Sequence, residues 1–375
     1  MTAVFFISGH GFGHASREVE IIHALAARRP DVRIVIRSAV SPSLLHRTLK
    51  VPFELRPGPC DTGIVQASSV SHDDEATVRE AIAYYERLDE HIAAETHRLA
   101  HDNVALIVGD VAPLACEVAW RLGVPGVVIS NFTWDWIYET HPGMSAAAPW
   151  IVPRIRRAYE RATEALELPF AAGLEIFSKV TRVPLVARRP TRSQQDTRAH
   201  FGIAPGKPAA LLSFGGYGLP DLDVAAIDAR GEWTLVTTDR SSTGEPVNVD
   251  DLVFVEERAF IDSGFRYEDL VAAVDAVVTK PGYGIIAECI VSGTAMLYTS
   301  RGEFREYDLL VREMPRFLRA RFISQPDLFA GAFRAGLNAL LAQPAPAERM
   351  AANGAEVAAG ILTSLLPAPV ASTSA

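Results

Sequence analysis

A chain of 375 residues, 49% hydrophobic and 22% charged, is long enough for about two domains and apolar enough to bury a core in each, which excludes a single small module and a disordered chain. A formal net charge of -9 argues against a general nucleic-acid or membrane-surface binder, because phosphate-rich partners select excess positive charge. The three cysteines, Cys60, Cys116 and Cys289, are too scattered for a disulfide framework or a thiolate zinc cluster and suit a reducing cytoplasm.

MTAVFFIS lacks the basic start of a signal peptide and reads as a first strand over Ala3 to Ser8, and no apolar run is long enough to span a bilayer. Further β-rich runs lie at Val32 to Ile36, Val104 to Val108 and Val124 to Ile129. Between them, Arg17 to Arg28 carries Val19, Ile22 and Ala26 on one helical face, and Glu75 to Leu99 repeats Ile82, Tyr85, Leu88 and Ile92 at helical spacing. Strands alternating with helices indicate a parallel sheet with crossovers.

The polar, arginine-bearing stretch Ala187 to Pro208 has the composition of an exposed connector, with the linker itself set at 191 to 208. A second α/β series follows it, with strands expected at Ala209 to Phe214, Trp233 to Thr237, Leu252 to Val255, Ala276 to Thr279 and Ala295 to Tyr298. The reading is therefore two doubly wound α/β domains, residues 1 to 190 and 209 to 345, followed by a C-terminal helix and a fraying tail over 346 to 375.

GHGFGHASR, Gly9 to Arg17, joins the first strand to the first helix, where backbone N–H groups face a ligand at the strand ends. A dinucleotide fingerprint needs glycine at its sixth position, which is His14 here, and Arg37 stands where an acid is usual, so a nicotinamide enzyme is disfavoured. His10 and His14 each offer an imidazole suited to deprotonating a hydroxyl or water, or to capping the helix. His14, closer to the helix start, is preferred as base.

SFGGYG, Ser213 to Gly218, and KPGYGIIAE, Lys280 to Glu288, read as strand-to-loop turns. Gly282 and Gly284 let a backbone approach an anion closely while the helix that starts there adds unpaired N–H groups and a favourable dipole. Two readings stand for Glu288, four residues past Gly284: an acid leaning back toward a ribose, or a solvent-facing acid complementing the dipole. Lys280 either neutralises phosphate charge or is merely solvated. TSRGEFREYD, Thr299 to Asp308, places Glu303, Glu306, Tyr307 and Asp308 on a strand-following loop with the donors and acceptors that sugar hydroxyls require. NFTWDWIY, Asn131 to Tyr138, offers Trp134 and Trp136 either to a sugar or acceptor or to packing within the domain.

Taken together, these motifs resemble GT-B glycosyltransferases, especially the N-acetylglucosaminyltransferase of peptidoglycan synthesis and the glycosyltransferase-like N-terminal region of plant arabinokinases. The resemblance implies two Rossmann-like domains facing a cleft that holds a nucleotide-diphosphate sugar. It places Gly215 and Gly216 on a phosphate-facing loop, Lys280, Pro281, Gly282, Tyr283 and Gly284 at the diphosphate-binding helix start, Glu288 on the ribose, and Glu306 and Tyr307 near the donor sugar. It points to Arg258, Ala259 and Phe260 for the base, to His14 with His10 as substitute for proton removal, and to Asp110 for orienting that histidine. Asn131, Trp134 and Trp136 fall on the acceptor side.

No metal or cofactor is implied, and the DLD at Asp221 to Asp223 is read as incidental surface. The expected reaction is inverting transfer from a nucleotide sugar, uridine being the first choice of base with GDP and dTDP open, to a small-molecule or lipid-linked acceptor hydroxyl or amine. Gly13, His14 and Arg17 also match a loop of nucleotide-sugar hydrolases of the same fold. Hydrolysis, epimerisation and a non-catalytic nucleotide-sugar sensor are the alternatives.

Overall fold

The computed structural model describes residues 1–10, 12–215, 218–219, 221–238, 251–256, 259–260, 263–302 and 304–369. They form two compact units. The first comprises Met1–Val65, Asp73–Val186 and the chain from Ala351 onward; the second comprises Gln66–His72 and Ala187–Met350.

The first unit is built on seven strands, β1 (Thr2–Ile7), β2 (Arg33–Ser38), β3 (Glu54–Pro57), β4 (Val104–Asp110), β5 (Gly126–Ser130), β6 (Glu164–Glu167) and β7 (Val180–Arg182). They pair in the order β3-β2-β1-β4-β5-β6-β7, all parallel. The β1 run TAVFFI is buried throughout, as expected where a parallel strand is covered on both faces. Phe5 and Ile7 pack with Ile21, Ile22 and Leu25 of the helix Phe12–Arg28. The C-terminal helix Gly354–Leu365 adds Ala358, Ala359 and Leu362 to the same core.

The second unit carries six parallel strands, β8 (Ala209–Ser213), β9 (Thr234–Thr237), β10 (Leu252–Phe254), β11 (Ala276–Thr279), β12 (Ala295–Tyr298) and β13 (Ala320–Phe322). Their order is β10-β9-β8-β11-β12-β13. Leu212, Trp233, Leu235, Val278, Leu297, Phe333 and Leu337 form its core, joined by Val70 from the short Gln66–His72 segment. In both units the strand order reverses beside the first strand, which opens a crevice at the carboxyl ends of the central strands.

Several expectations change. The first helix begins at Phe12, so His14 is a helical residue, not a loop residue, and the helix expected from Arg17 starts five residues earlier. The Glu75 to Leu99 stretch is two helices, Asp74–Glu86 and Leu88–Leu99, broken at Arg87. The stretch from Ala187 to Pro208 belongs to the second unit, contains the helix Gln194–Phe201 and is tied down where Asp269 accepts the Arg192 N–H at 3.0 Å.

Gly354 makes the docking of the last helix possible. Its N–H donates to Leu185 O at 3.0 Å, and a Cβ there would run into the Pro184 carbonyl, whose carbon lies 2.8 Å from that position. Backbone cannot yield cheaply. Gly354→Val is therefore expected to destabilise the chain by about 1–3 kcal/mol, the usual cost of overpacking, read as a lowered urea midpoint. An unchanged midpoint would show that the helix does not brace the first core.

Candidate active site

The carboxyl edge of the first sheet gathers the chemistry of that unit. Asp110 ends β4 and is fully buried. Its Oδ2 lies 2.8 Å from His14 Nδ1, and its Oδ1 accepts from Arg17 Nη2. Arg17 Nη1 also donates to Asn131 Oδ1 at 2.6 Å, while the Asn131 amide donates to Pro169 O. Burial alone would raise a carboxyl pKa, but the Arg17 charge and the hydrogen bonds from Arg17 and His14 outweigh it and hold Asp110 below its ordinary value. An ionised Asp110 takes the proton-bearing Nδ1 of His14 as its donor, leaving Nε2 as the ring atom able to accept a proton.

A second histidine–acid pair lies beside the first. His10 Nε2 is 3.6 Å from Asp61 Oδ1, and Asp61 accepts from Ser8 Oγ at 3.1 Å and from Trp134 Nε1 at 2.9 Å. Burial outweighs the attraction of Asp61 and lowers the His10 pKa, so this ring is neutral at pH 7. Burial likewise raises Asp61 against the pull of His10 and the Trp134 indole. Gly63, at φ +62°, lets the chain press against the His10 ring, because a Cβ there would come within 2.7 Å of Nδ1.

The aromatic residues expected on the acceptor side are divided between these roles. Trp134 is buried, with its indole N–H spent on Asp61 and its ring stacked on Tyr138. Trp136 is half-buried against Gly173, and Asn131 is buried beneath Arg17. Gly13 lies in the first turn of the helix that carries His14.

In the second unit β8 runs into Phe214 and Gly215, and β11 runs into Lys280, Pro281 and Gly282, the last capping the helix Tyr283–Ser292. Gly215 has φ +72°, and a Cβ at Gly215 or Gly282 would meet nothing within 4 Å. Space therefore lies in front of both turns. The first N–H groups of an α-helix, here those that precede Ile286, have no intrahelical acceptor.

Glu288 is not the solvent-facing acid of the simpler reading. It is 3% exposed, and Arg188 donates to its Oε1 from Nε at 2.7 Å and also from Nη2. Oε2 makes no hydrogen bond among the described residues. Arg188 Nη1 lies 3.4 Å from Glu268, and its guanidinium stands over Tyr267, whose hydroxyl meets Ser213 Oγ. Burial raises the Glu288 carboxyl, with Arg188 opposing.

Lys280 is no solvated surface lysine either. Its Nζ donates to Gln66 Oε1 at 3.3 Å, and burial together with the Arg301 charge pushes it down to about 7. Arg301 donates to Glu306 Oε1 at 3.0 Å and lies over the Phe304 ring. Glu306 is buried, Tyr307 half-buried and Asp308 exposed. Phe260 packs on Phe201 and Tyr267 beside Ala259, whereas Gly216, Arg258 and Glu303 lie outside the described residues. Asp221 and Asp223 are exposed, and among the described residues no group of three His, Cys, Asp or Glu is placed to hold a metal ion.

The sequence reading missed Asp61, Glu18, Arg188, Gln66 and Arg301. Arg188 was hidden in a stretch whose composition suggested solvent, and Gln66 in a polar run of the N-terminal half. Asp61 follows β3, whose sequence ELRP did not mark it as a strand.

No protein-family model matches the chain. It is 28% identical over 365 residues, 96% of its length, to L-arabinokinase of Arabidopsis thaliana, and it spans about a third (34%) of that relative's own length. Among solved structures it superposes on the kitacinnamycin glycotransferase with a TM-score of 0.66 at 19% identity, covering 98% of this chain and 99% of that one. The glycosyltransferase VinC, solved in complex with DTDP, gives a TM-score of 0.57 at 15% identity, covering 97% and 95%. The fold is GT-B. The two GT-B sheets described above, of seven and six parallel strands, are its two Rossmann-like domains. No helix among the described residues is long and apolar enough to cross a membrane.

Glu18, one turn beyond His14, gives this GT-B site a pH signature. It is fully buried, its Oε1 lies 3.7 Å from Arg17 Nε, and burial with the neighbouring Asp110 charge pushes its carboxyl up to about 8 from an ordinary 4.5. The folded chain then holds a proton that the unfolded chain has lost, so this contribution to stability is present below about 4.5 and is lost as pH rises towards about 8. Glu18→Gln should shrink the drop in thermal midpoint between pH 5 and pH 8. An identical drop in both chains would show that Glu18 titrates normally.

Proposed function

We propose that the chain is an inverting glycosyltransferase that moves a sugar from a nucleoside-diphosphate donor, with UDP the first choice of nucleotide, to the hydroxyl or amine of a small-molecule or lipid-linked acceptor. The observation that carries this reading is the buried Asp110 carboxylate bonded to His14 Nδ1 at 2.8 Å, in a chain with the GT-B fold. An acid so placed fixes the imidazole and stabilises its protonated form, which is what a general base needs. Arg17, itself fixed by Asn131, holds the acid.

In the proposed reaction His14 Nε2 takes the acceptor's proton as its oxygen or nitrogen bonds to the anomeric carbon, on the face opposite the departing group. The bond from that carbon to the diphosphate oxygen breaks and the electron pair leaves with the nucleotide. Developing charge on the diphosphate is met by the N–H groups that begin the helix Tyr283–Ser292 and by Lys280 and Arg301. Glu288, steered by Arg188 through Oε1, offers Oε2 to the ribose hydroxyls. Gly215 with Gly216 supplies the second phosphate-facing turn, and the segment around Phe260 is assigned to the base. His10, held neutral beside Asp61, is the substitute base or an acceptor contact.

The test uses His14→Ala. Nucleotide-sugar affinity should stay within about twofold while turnover falls by about two to four orders of magnitude, the usual worth of acid–base catalysis. Full turnover in this variant and also in His10→Ala would overturn the mechanism. Run without acceptor, the same assay separates the other readings: rapid release of free sugar indicates hydrolysis, a changed nucleotide sugar indicates epimerisation, and binding with no turnover under any acceptor indicates a sensor.

A further inference from the structure

The segment Gln66–His72 comes from the N-terminal half of the sequence yet belongs to the second unit. Two attachments hold it there: Val70 is buried in the second core, and Ser69 Oγ donates to Phe214 O at 2.7 Å immediately before the Gly215 turn. Within the segment the Ala67 N–H donates to Ser71 O at 3.1 Å and closes the loop. An antiparallel bridge pairs Gln66 with His72, so the two residues stand side by side at its open end.

Both reach the cationic cluster beyond β11 and β12. Gln66 Oε1 accepts from Lys280 Nζ at 3.3 Å, which leaves the two N–H donors of the same amide to offer a ligand. The His72 ring lies against Gly302, where a Cβ would stand 3.2 Å from Cε1, and packs edge-on to Phe304 at 6.1 Å. Phe304 in turn carries the Arg301 guanidinium on its face at 4.2 Å. Lys280 and Arg301 are close enough to repel one another, and Glu306 is the acid set against both. Arg301 and the protonated form of Lys280, set against Glu306 among the described residues, offer positive charge to an anion, and a neutral amide and an imidazole at the border of that charge are suited to the uncharged, hydroxyl-rich group attached to it.

We propose that the Gln66–His72 loop is one wall of the donor-sugar subsite, and that Gln66 and His72 select which glycosyl group is accepted beside the diphosphate held by Lys280 and Arg301. The inference rests on the glycosyltransferase reading and deepens it by naming the specificity residues. Sugars that differ in the configuration of one hydroxyl are told apart by whether that hydroxyl meets the amide or leaves it unpaired.

The experiment is calorimetric titration of the full chain with UDP, GDP and dTDP, then with the glucose and galactose esters of whichever diphosphate binds. It is repeated for Gln66→Leu and His72→Ala. Affinity for the bare nucleoside diphosphate should stay within about twofold in both variants, which also reports that they fold. Affinity for the preferred nucleotide sugar should fall about tenfold, and the glucose-to-galactose ratio should move by a similar factor in at least one variant. A ratio and a sugar affinity unchanged in both variants, with the diphosphate still bound, overturn this proposal alone. A wild-type chain that binds none of the three diphosphates overturns the parent reading and this one with it.

Discussion

A carboxylate withdrawn from water must be met by a cation or give up its charge, and that requirement organises both units. In the first, Asp110 at the end of β4 draws Arg17 and His14 from one helix onto the sheet edge, so the contact that orients the imidazole also docks the helix start. In the second, Glu288 is held by Arg188 through a single oxygen. Removing either cation would leave an uncompensated buried charge, which is far costlier than losing an ordinary surface ion pair. The geometry of each cluster is thus fixed by stability as well as by any ligand.

The parallel sheets convert this local requirement into a site. Every strand of each sheet points its carboxyl end the same way, so Ser8, Asp110 and Asn131 gather at the carboxyl edge of the first sheet, and Phe214, Lys280 and Arg301 at the carboxyl edge of the second. Glycine matters where those loops approach closely. Gly63 makes room for the His10 ring, whereas a Cβ at Gly282 would meet only open space.

Much of this was legible in the sequence, because buried parallel strands read as continuous apolar runs. β11 and β12 fall where AVVT and AMLY predict them. The strands that were missed have a common cause. EALE of β6 has the composition of a helix, ELRP of β3 and VTR of β7 are half-exposed, and ARF of β13 lies at an edge, so burial and pairing in the sheet decide their conformation and local propensity does not.

The site was legible in part for similar reasons. Glycine-rich turns after strands signal a ligand edge, which singled out His14, Gly282 and Glu288. Partners distant in sequence give no such signal: Arg188 lies 100 residues from Glu288, and Gln66 lies 214 from Lys280. Composition misled in the stretch from Ala187 to Pro208, where arginines that suggested solvent include one that neutralises a buried acid.

The account turns on where the nucleotide sits. A crystal structure with a bound nucleoside diphosphate tests it most directly. The account predicts diphosphate oxygens within hydrogen-bonding distance of the Tyr283 and Gly284 N–H groups and a ribose hydroxyl on Glu288 Oε2. A nucleotide seated elsewhere, with the turn at Gly282 empty, would contradict it.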